Sequence, residues 1–212
     1  SSSPSDFDVY RQMAYLFDDP YEMPDSAEKY FLQTLFLSRE AGDAQREIES
    51  HMNLMNFYYK TNQIKKLLET INTALVLAEK NNHQKALINI YNMIGDMFLV
   101  NKRNDELALI YYKKVLEICR PRYKQWEATI LNDIGDLYLK MGNDSLALLY
   151  VREGLKVAKT MNLKHQISEG YRNLGKIYKS QGRLSEAIHN FQICYNTGCD
   201  KCSKVVFHQA LI

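Results

Sequence analysis

The chain has 212 residues, 46% of them apolar and 25% charged, with nine glycines and four prolines. That balance fits an ordinary soluble protein, and so few turn residues favour long helices with short turns over sheets. No apolar run reaches the ~18–20 residues a membrane-spanning helix needs, and a formal net charge of +2 gives no support for direct nucleic-acid contact.

The charge is unevenly placed. Residues 1–50 carry 11 acidic and 4 basic side chains, a net of −7, and residues 151–212 carry 10 basic and 4 acidic, a net of +6. Such a chain can associate head to tail, or steer a charged partner to one end.

In chain order, helical periodicity predicts five antiparallel pairs. The first is weak, 7–17 with 25–41, and its second helix is expected to start at Asp25 as N-cap with Glu28 three residues on. The others are 44–61 with 64–80, 83–101 with 105–119, 123–141 with 144–160, and 164–181 with 184–197. Short turns such as "MGND" and "SQGR" join the helices, with Gly142 and Gly182 supplying positive φ. Residues 199–212 resemble the opening of a further first helix. The expected partition is a degenerate pair over 1–43, an array over 44–198 and a truncated repeat over 199–212. The chain is therefore expected to be a piece of a longer protein.

Gly95, Gly135 and Gly175 recur every 40 residues, each preceded by Ile94, Ile134 or Leu174 and followed three places on by Phe98, Tyr138 or Tyr178. Ala108, Ala147 and Ala187 open the second helix of each pair. Glycine inside a helix costs roughly 1 kcal/mol against alanine, so something must require it. The expectation is close helix–helix approach, each glycine facing the alanine of its partner helix.

These residues resemble the tetratricopeptide repeat. Its pattern falls on Leu131, Ile134, Gly135, Tyr138, Ala147, Val151 and Gly154 in the clearest copy, and on Tyr171, Leu174, Gly175, Tyr178, Ala187, Phe191 and Cys194 in the last. The family's closing proline is absent after Gly154 and Cys194; Pro121 approximates it after the third pair. The period of 40 exceeds the commoner 34 and resembles long-period arrays of bacterial regulators. The resemblance implies an all-α fold: a right-handed superhelical solenoid of about five antiparallel helix pairs plus a truncated terminal helix.

The resemblance also implies a groove lined by the first helix of each pair. Helical spacing places Asn92 with Asp96, Asn132 with Asp136, and Arg172 with Lys176 on that face. Asn89, Thr129 and Lys179 extend it, and the degenerate second copy adds Asn56 and Tyr59. Asparagine can donate to and accept from an extended peptide backbone, and the basic end can take a carboxylate. The family's carboxylate-clamp set is not reproduced. The expected partner is a protein or extended peptide, with the chain as sensor or scaffold part of a larger bacterial signalling or transcription-regulatory protein. The alternative is a structural module that self-associates into homo-oligomers.

"CYNTGCDKC" brings Cys194, Cys199 and Cys202 together ahead of His208, on paper a zinc set or a disulfide. Cys194 holds the repeat's small-residue position and is expected in the core, so free thiols are the expectation. The five histidines lack ligand or nucleophile partners at catalytic spacing, and there is no phosphate loop and no Gly-x-Ser-x-Gly. No enzyme activity and no cofactor are expected.

Overall fold

The computed structural model describes residues 5–18, 24–100 and 104–197, all α-helix and turn. The chain forms two compact units, residues 1–90 and 91–212. The first holds α1 (Asp6–Phe17), α2 (Pro24–Glu40), α3 (Ala44–Lys60), α4 (Ile64–Lys80) and the start of α5 (Gln84–Val100). The second holds the rest of α5, α6 (Asp105–Cys119), α7 (Lys124–Lys140), α8 (Asp144–Thr160), α9 (Lys164–Ser180) and α10 (Leu184–Asn196). The further repeat expected over 199–212 lies outside the described residues.

The period of forty comes from a half-period of twenty. Helices α3, α4, α5, α7, α8 and α9 are each 17 residues long, and three-residue links separate most neighbours. Each link ends its helix with a left-handed residue: Gly42, Asn62, Asn82, Gly142, Asn162 and Gly182 all have positive φ. The next amide then reaches back across the helix end, as in Asn143 N–H to Tyr138 O at 2.9 Å and Leu163 N–H to Ala158 O at 2.9 Å. Gly142 and Gly182 play the role expected of them. The three asparagines play the same role because their short polar side chain tolerates this conformation. At Pro121 the pattern breaks. Proline has no N–H, α6 is only 15 residues long, and Tyr123 N–H turns instead to Cys119 O at 2.8 Å.

Side-chain N-caps open several helices: Asp43 accepts from Arg46 N, Asn104 from Leu107 N and Asn143 from Leu146 N. Asp25 is not a cap as expected; α2 starts one residue earlier and Asp25 sits in its first turn.

In the first unit an aromatic chain runs Tyr15, Phe31, Phe57, Tyr58 with ring centroids 5.6, 5.8 and 5.6 Å apart. In the second, α7 and α8 bury Ile130, Leu131, Ile134, Ala147 and Val151, and α9 with α10 bury Leu174, Ile177, Ala187, Phe191 and Cys194.

The repeated glycines are buried and do mark close approach, but not chiefly to the alanines. A Cβ at Gly135 would lie 2.4 Å from Val151 Cγ2, with Ala147 O at 3.3 Å. At Gly95 it would strike the Tyr112 ring at 2.5 Å, and at Gly175 the Phe191 ring at 2.4 Å. The knob is the residue one turn beyond Ala108, Ala147 and Ala187. Those alanines, all buried, let the helices close, and the glycine receives the larger side chain that follows.

Candidate binding surface

In the second unit α7 packs directly on α9, so the first helices of successive pairs stand side by side. Polar bonds join neighbouring repeats, one of them, Lys176 to Asp136, between equivalent positions. Lys176 Nζ donates to Asp136 Oδ1 at 2.7 Å, and Gln166 Nε2 to Thr129 Oγ1 at 3.3 Å. Ser180 Oγ donates across to Asp144 Oδ2 at 3.1 Å.

Asn132 does not face an open groove. It is 3% exposed; its Nδ2 donates to Gln166 O at 3.0 Å, and Asn173 Nδ2 donates to Asn132 O at 3.2 Å. The Asn132 Oδ1 is enclosed where Gly154 and Gly170 let α8 and α9 come near, 3.1 Å and 3.3 Å from where their Cβ atoms would lie. Asn132 is thus an inter-repeat tie. Its counterpart Asn92 is half-buried and donates to Asp96 Oδ2 at 3.2 Å. The same residue at the same register does two different jobs.

The remaining residues form a strip of charge. Asp96 also accepts from Tyr112 Oη at 2.6 Å; burial raises its pKa and the tyrosine bond partly offsets that. Burial likewise opposes ionisation of Asp136, but the Lys176 hydrogen bond and the charges of Lys176, Lys140 and Arg172 outweigh it and leave its pKa lowered. Glu169 pairs with Arg172. Thr129 is exposed at the edge.

Asp133, absent from the sequence expectations, lies at the centre of the strip. Its side chain is open to solvent, yet loss of hydration among crowding atoms, then the carboxylates of Asp96, Asp136 and Glu169, push its pKa up to about 7 against the pull of Arg172. Lys179 is exposed beside a shallow hollow of about 530 Å³ lined also by Leu139, Lys176, Ser180 and Phe191. Of the other expected groove residues, Asn56 is exposed on α3, and Tyr59 and Asn89 are half-buried; all three belong to the first unit.

On the opposite side, cations cap tyrosines. Lys113 lies 5.7 Å from the Tyr138 ring, Arg152 Nη2 donates to Tyr178 Oη at 3.2 Å, and Lys159 Nζ to Tyr171 Oη at 2.7 Å. These rings pack at repeat positions while their hydroxyls reach the surface.

Cys119 and Cys194 are buried and in no disulfide, and Cys194 Sγ lies 3.3 Å from Ser168 Oγ. Burial, then Glu127, pushes Cys119 up to about 12, which keeps it unreactive. Cys199, Cys202 and His208 lie outside the described residues. Among the described residues no group of three or more His, Cys, Asp or Glu is arranged for a metal, and no helix is long and apolar enough to cross a membrane.

The tetratricopeptide repeat family matches residues 87–160. Comparison with curated proteins gives no match. Among solved structures, a Signal Transduction ATPase with Numerous Domains protein with a tetratricopeptide repeat sensor, from Pyrococcus horikoshii, is 23% identical with a TM-score of 0.75; the match covers 89% of this chain and 29% of that one. BtubC from P. vanneervenii is 22% identical with a TM-score of 0.70, over 90% of this chain and 86% of its own. A Podosopora anserina putative kinesin light chain with nearly identical TPR-like repeats is 14% identical with a TM-score of 0.69, over 96% and 100%. At these identities the likeness is one of fold. The chain spans less than a third of the archaeal ATPase.

Proposed function

Because residues 87–160 match the tetratricopeptide repeat family, whose members generally serve as protein-interaction modules, we propose that this chain is a non-enzymatic module holding an extended protein segment on the first-helix face of its second unit. Asp133 carries the reading. It is an exposed carboxylate among three others, and of those Asp96, Asp136 and Glu169 already have partners in Tyr112, Lys176 and Arg172. A lysine or arginine of the bound segment would relieve that crowding. Asn92, Thr129 and Asp136 flank it, with Lys176 and Lys179 at the basic end for a carboxylate.

The module would act as sensor or scaffold within a larger signalling or transcription-regulatory protein. The likeness to part of a signal-transduction ATPase that has a tetratricopeptide repeat sensor supports this, as an analogy of fold. Selection from a displayed library of random peptides tests the groove. The chain should enrich sequences sharing a basic residue, and Asp133→Lys should abolish that enrichment while melting no lower than wild type. Failure to enrich any sequence, or identical selection by the variant, would overturn the reading.

A further inference from the structure

We infer that the outer helices of the second unit bind the acidic first unit of another copy of this chain, head to tail. The surface is separate from the groove. Ile110 on α6 and Leu149 on α8 are 51% and 58% exposed. They stand 39 residues apart, the same offset that separates Ala108 from Ala147, so they occupy one repeat position. Three residues beyond each comes a cation, Lys113 and Arg152, and each reaches the aromatic ring or hydroxyl of the following repeat, Tyr138 and Tyr178. Aliphatic, cation and tyrosine recur as a set.

The charge is uneven along these helices. Beyond their first turns, α6, α8 and the residues capping them present Lys113, Lys114, Arg120, Arg152, Lys156 and Lys159. Against these stand Glu117 and Glu153, and Arg120 Nη2 already holds Glu153 at 2.9 Å. The first turns of α6 and α8 carry the acids Asp105, Glu106 and Asp144, so the cationic excess lies over the middle and C-terminal turns of these helices.

The first unit offers the complement. Leu32 and Phe36, one turn apart on α2, are 45% and 55% exposed. They border a shallow hollow of about 440 Å³ whose rim is Asp25, Glu28, Lys29 and Gln33. Glu28 is held by Lys66 and Tyr58, while Asp25 and, further along the helix, Glu40 stay exposed. Residues 1–50 as a whole are net −7. On the first unit Leu32 and Phe36 lie on a helix with the exposed carboxylates Asp25 and Glu40, with Lys29 also on the rim; on the second, Ile110 and Leu149 are each followed along their helix by cations. Exposed apolar surface framed by polar groups is the composition of an interface, and opposite charge sets its register.

The two patches differ, so the contact is heterologous and does not close on itself by a two-fold axis. Sedimentation velocity of the whole chain tests this. Mass should rise with concentration beyond the dimer at about 20 mM salt and fall back at about 500 mM. The pair Lys113→Glu with Lys156→Glu spoils one patch, and Asp25→Lys with Glu40→Lys spoils the other. Each variant alone should be monomeric. An equal mixture should associate again beyond the dimer, because the reversed outer patch of one variant complements the reversed first-unit patch of the other as the intact patches complement each other. Far-UV circular dichroism checks that each is folded; if either pair unfolds, the single replacements Leu149→Glu and Phe36→Lys carry the same test. A wild-type monomer under all conditions, a closed wild-type dimer, association unchanged in the variants, or a mixture that stays monomeric would each overturn the inference. Asp133→Lys should associate like wild type, so failure of the groove reads out separately.

Discussion

Gly135→Ala tests the packing rule directly. Alanine is favoured over glycine within a helix by about 1 kcal/mol, so on propensity alone the variant gains stability. The new methyl, however, would stand 2.4 Å from Val151 Cγ2, and 3.3 Å from both Ala147 O and Val151 N. Val151 is fully buried and β-branched, held to one preferred rotamer in a helix, and the two other neighbours are backbone. Relief therefore requires α7 and α8 to part, at about 1–3 kcal/mol for overpacking. The net expectation is a loss of about 1 kcal/mol after the propensity gain is subtracted. Val151→Ala alone removes two buried methyls and should cost about 2 kcal/mol. In the double variant the clash is gone and the added methyl partly fills the space. It should be no less stable than Val151→Ala, giving a coupling of about 1–3 kcal/mol. Urea denaturation followed by far-UV circular dichroism measures all four corners. Additive effects, or a Gly135→Ala protein more stable than wild type, would refute the argument.

Two further predictions concern pH. Asp133 ionises near pH 4 in an unfolded chain and at about 7 in the folded one. Between these values the folded state binds more protons, so its ionisation opposes folding as pH rises through the window. Asp133→Asn should leave stability unchanged below about pH 4 and raise it by about 1 kcal/mol at about pH 8, a figure reduced for solvent screening of an exposed group; equal gains at both pH values in thermal melts would contradict it. His51 is buried, its Nε2 lies 3.4 Å from Arg39 Nη2 and 3.9 Å from Glu47 Oε1, and its pKa is lowered by burial and by Arg39, with Glu47 opposing. Here the unfolded state takes the proton first, so stability should fall as pH drops below about 6.5. His51→Gln should flatten that acid limb, and an unaltered pH–stability curve would exclude His51 as its cause.

Helix positions were legible because the same punctuation recurs: polar caps such as Asn143, left-handed glycines such as Gly142, and apolar spacing between them. Two things were not. The alanine at the repeat's twentieth place marks where backbones approach, but the side chain entering the glycine notch is the bulkier residue one turn later, and periodicity alone does not separate them. Nor does polarity distinguish an amide facing water from one bonded across 34 residues to a carbonyl, so Asn132 looked like Asn92. Asp133, one place along the helix, carries no signal in its own repeat, since its significance lies mainly in carboxylates from neighbouring repeats.

The seventeen-plus-three rhythm also constrains how such a chain can change length. Forty-residue blocks bounded by the three-residue joints can be gained or lost while every surviving side chain keeps its facing, because those joints end in the same left-handed clasp. Loss of twenty would exchange inner and outer helices from that point onward. Pro121 interrupts this otherwise even gait, and a block copied across it would carry an offset joint into its new setting.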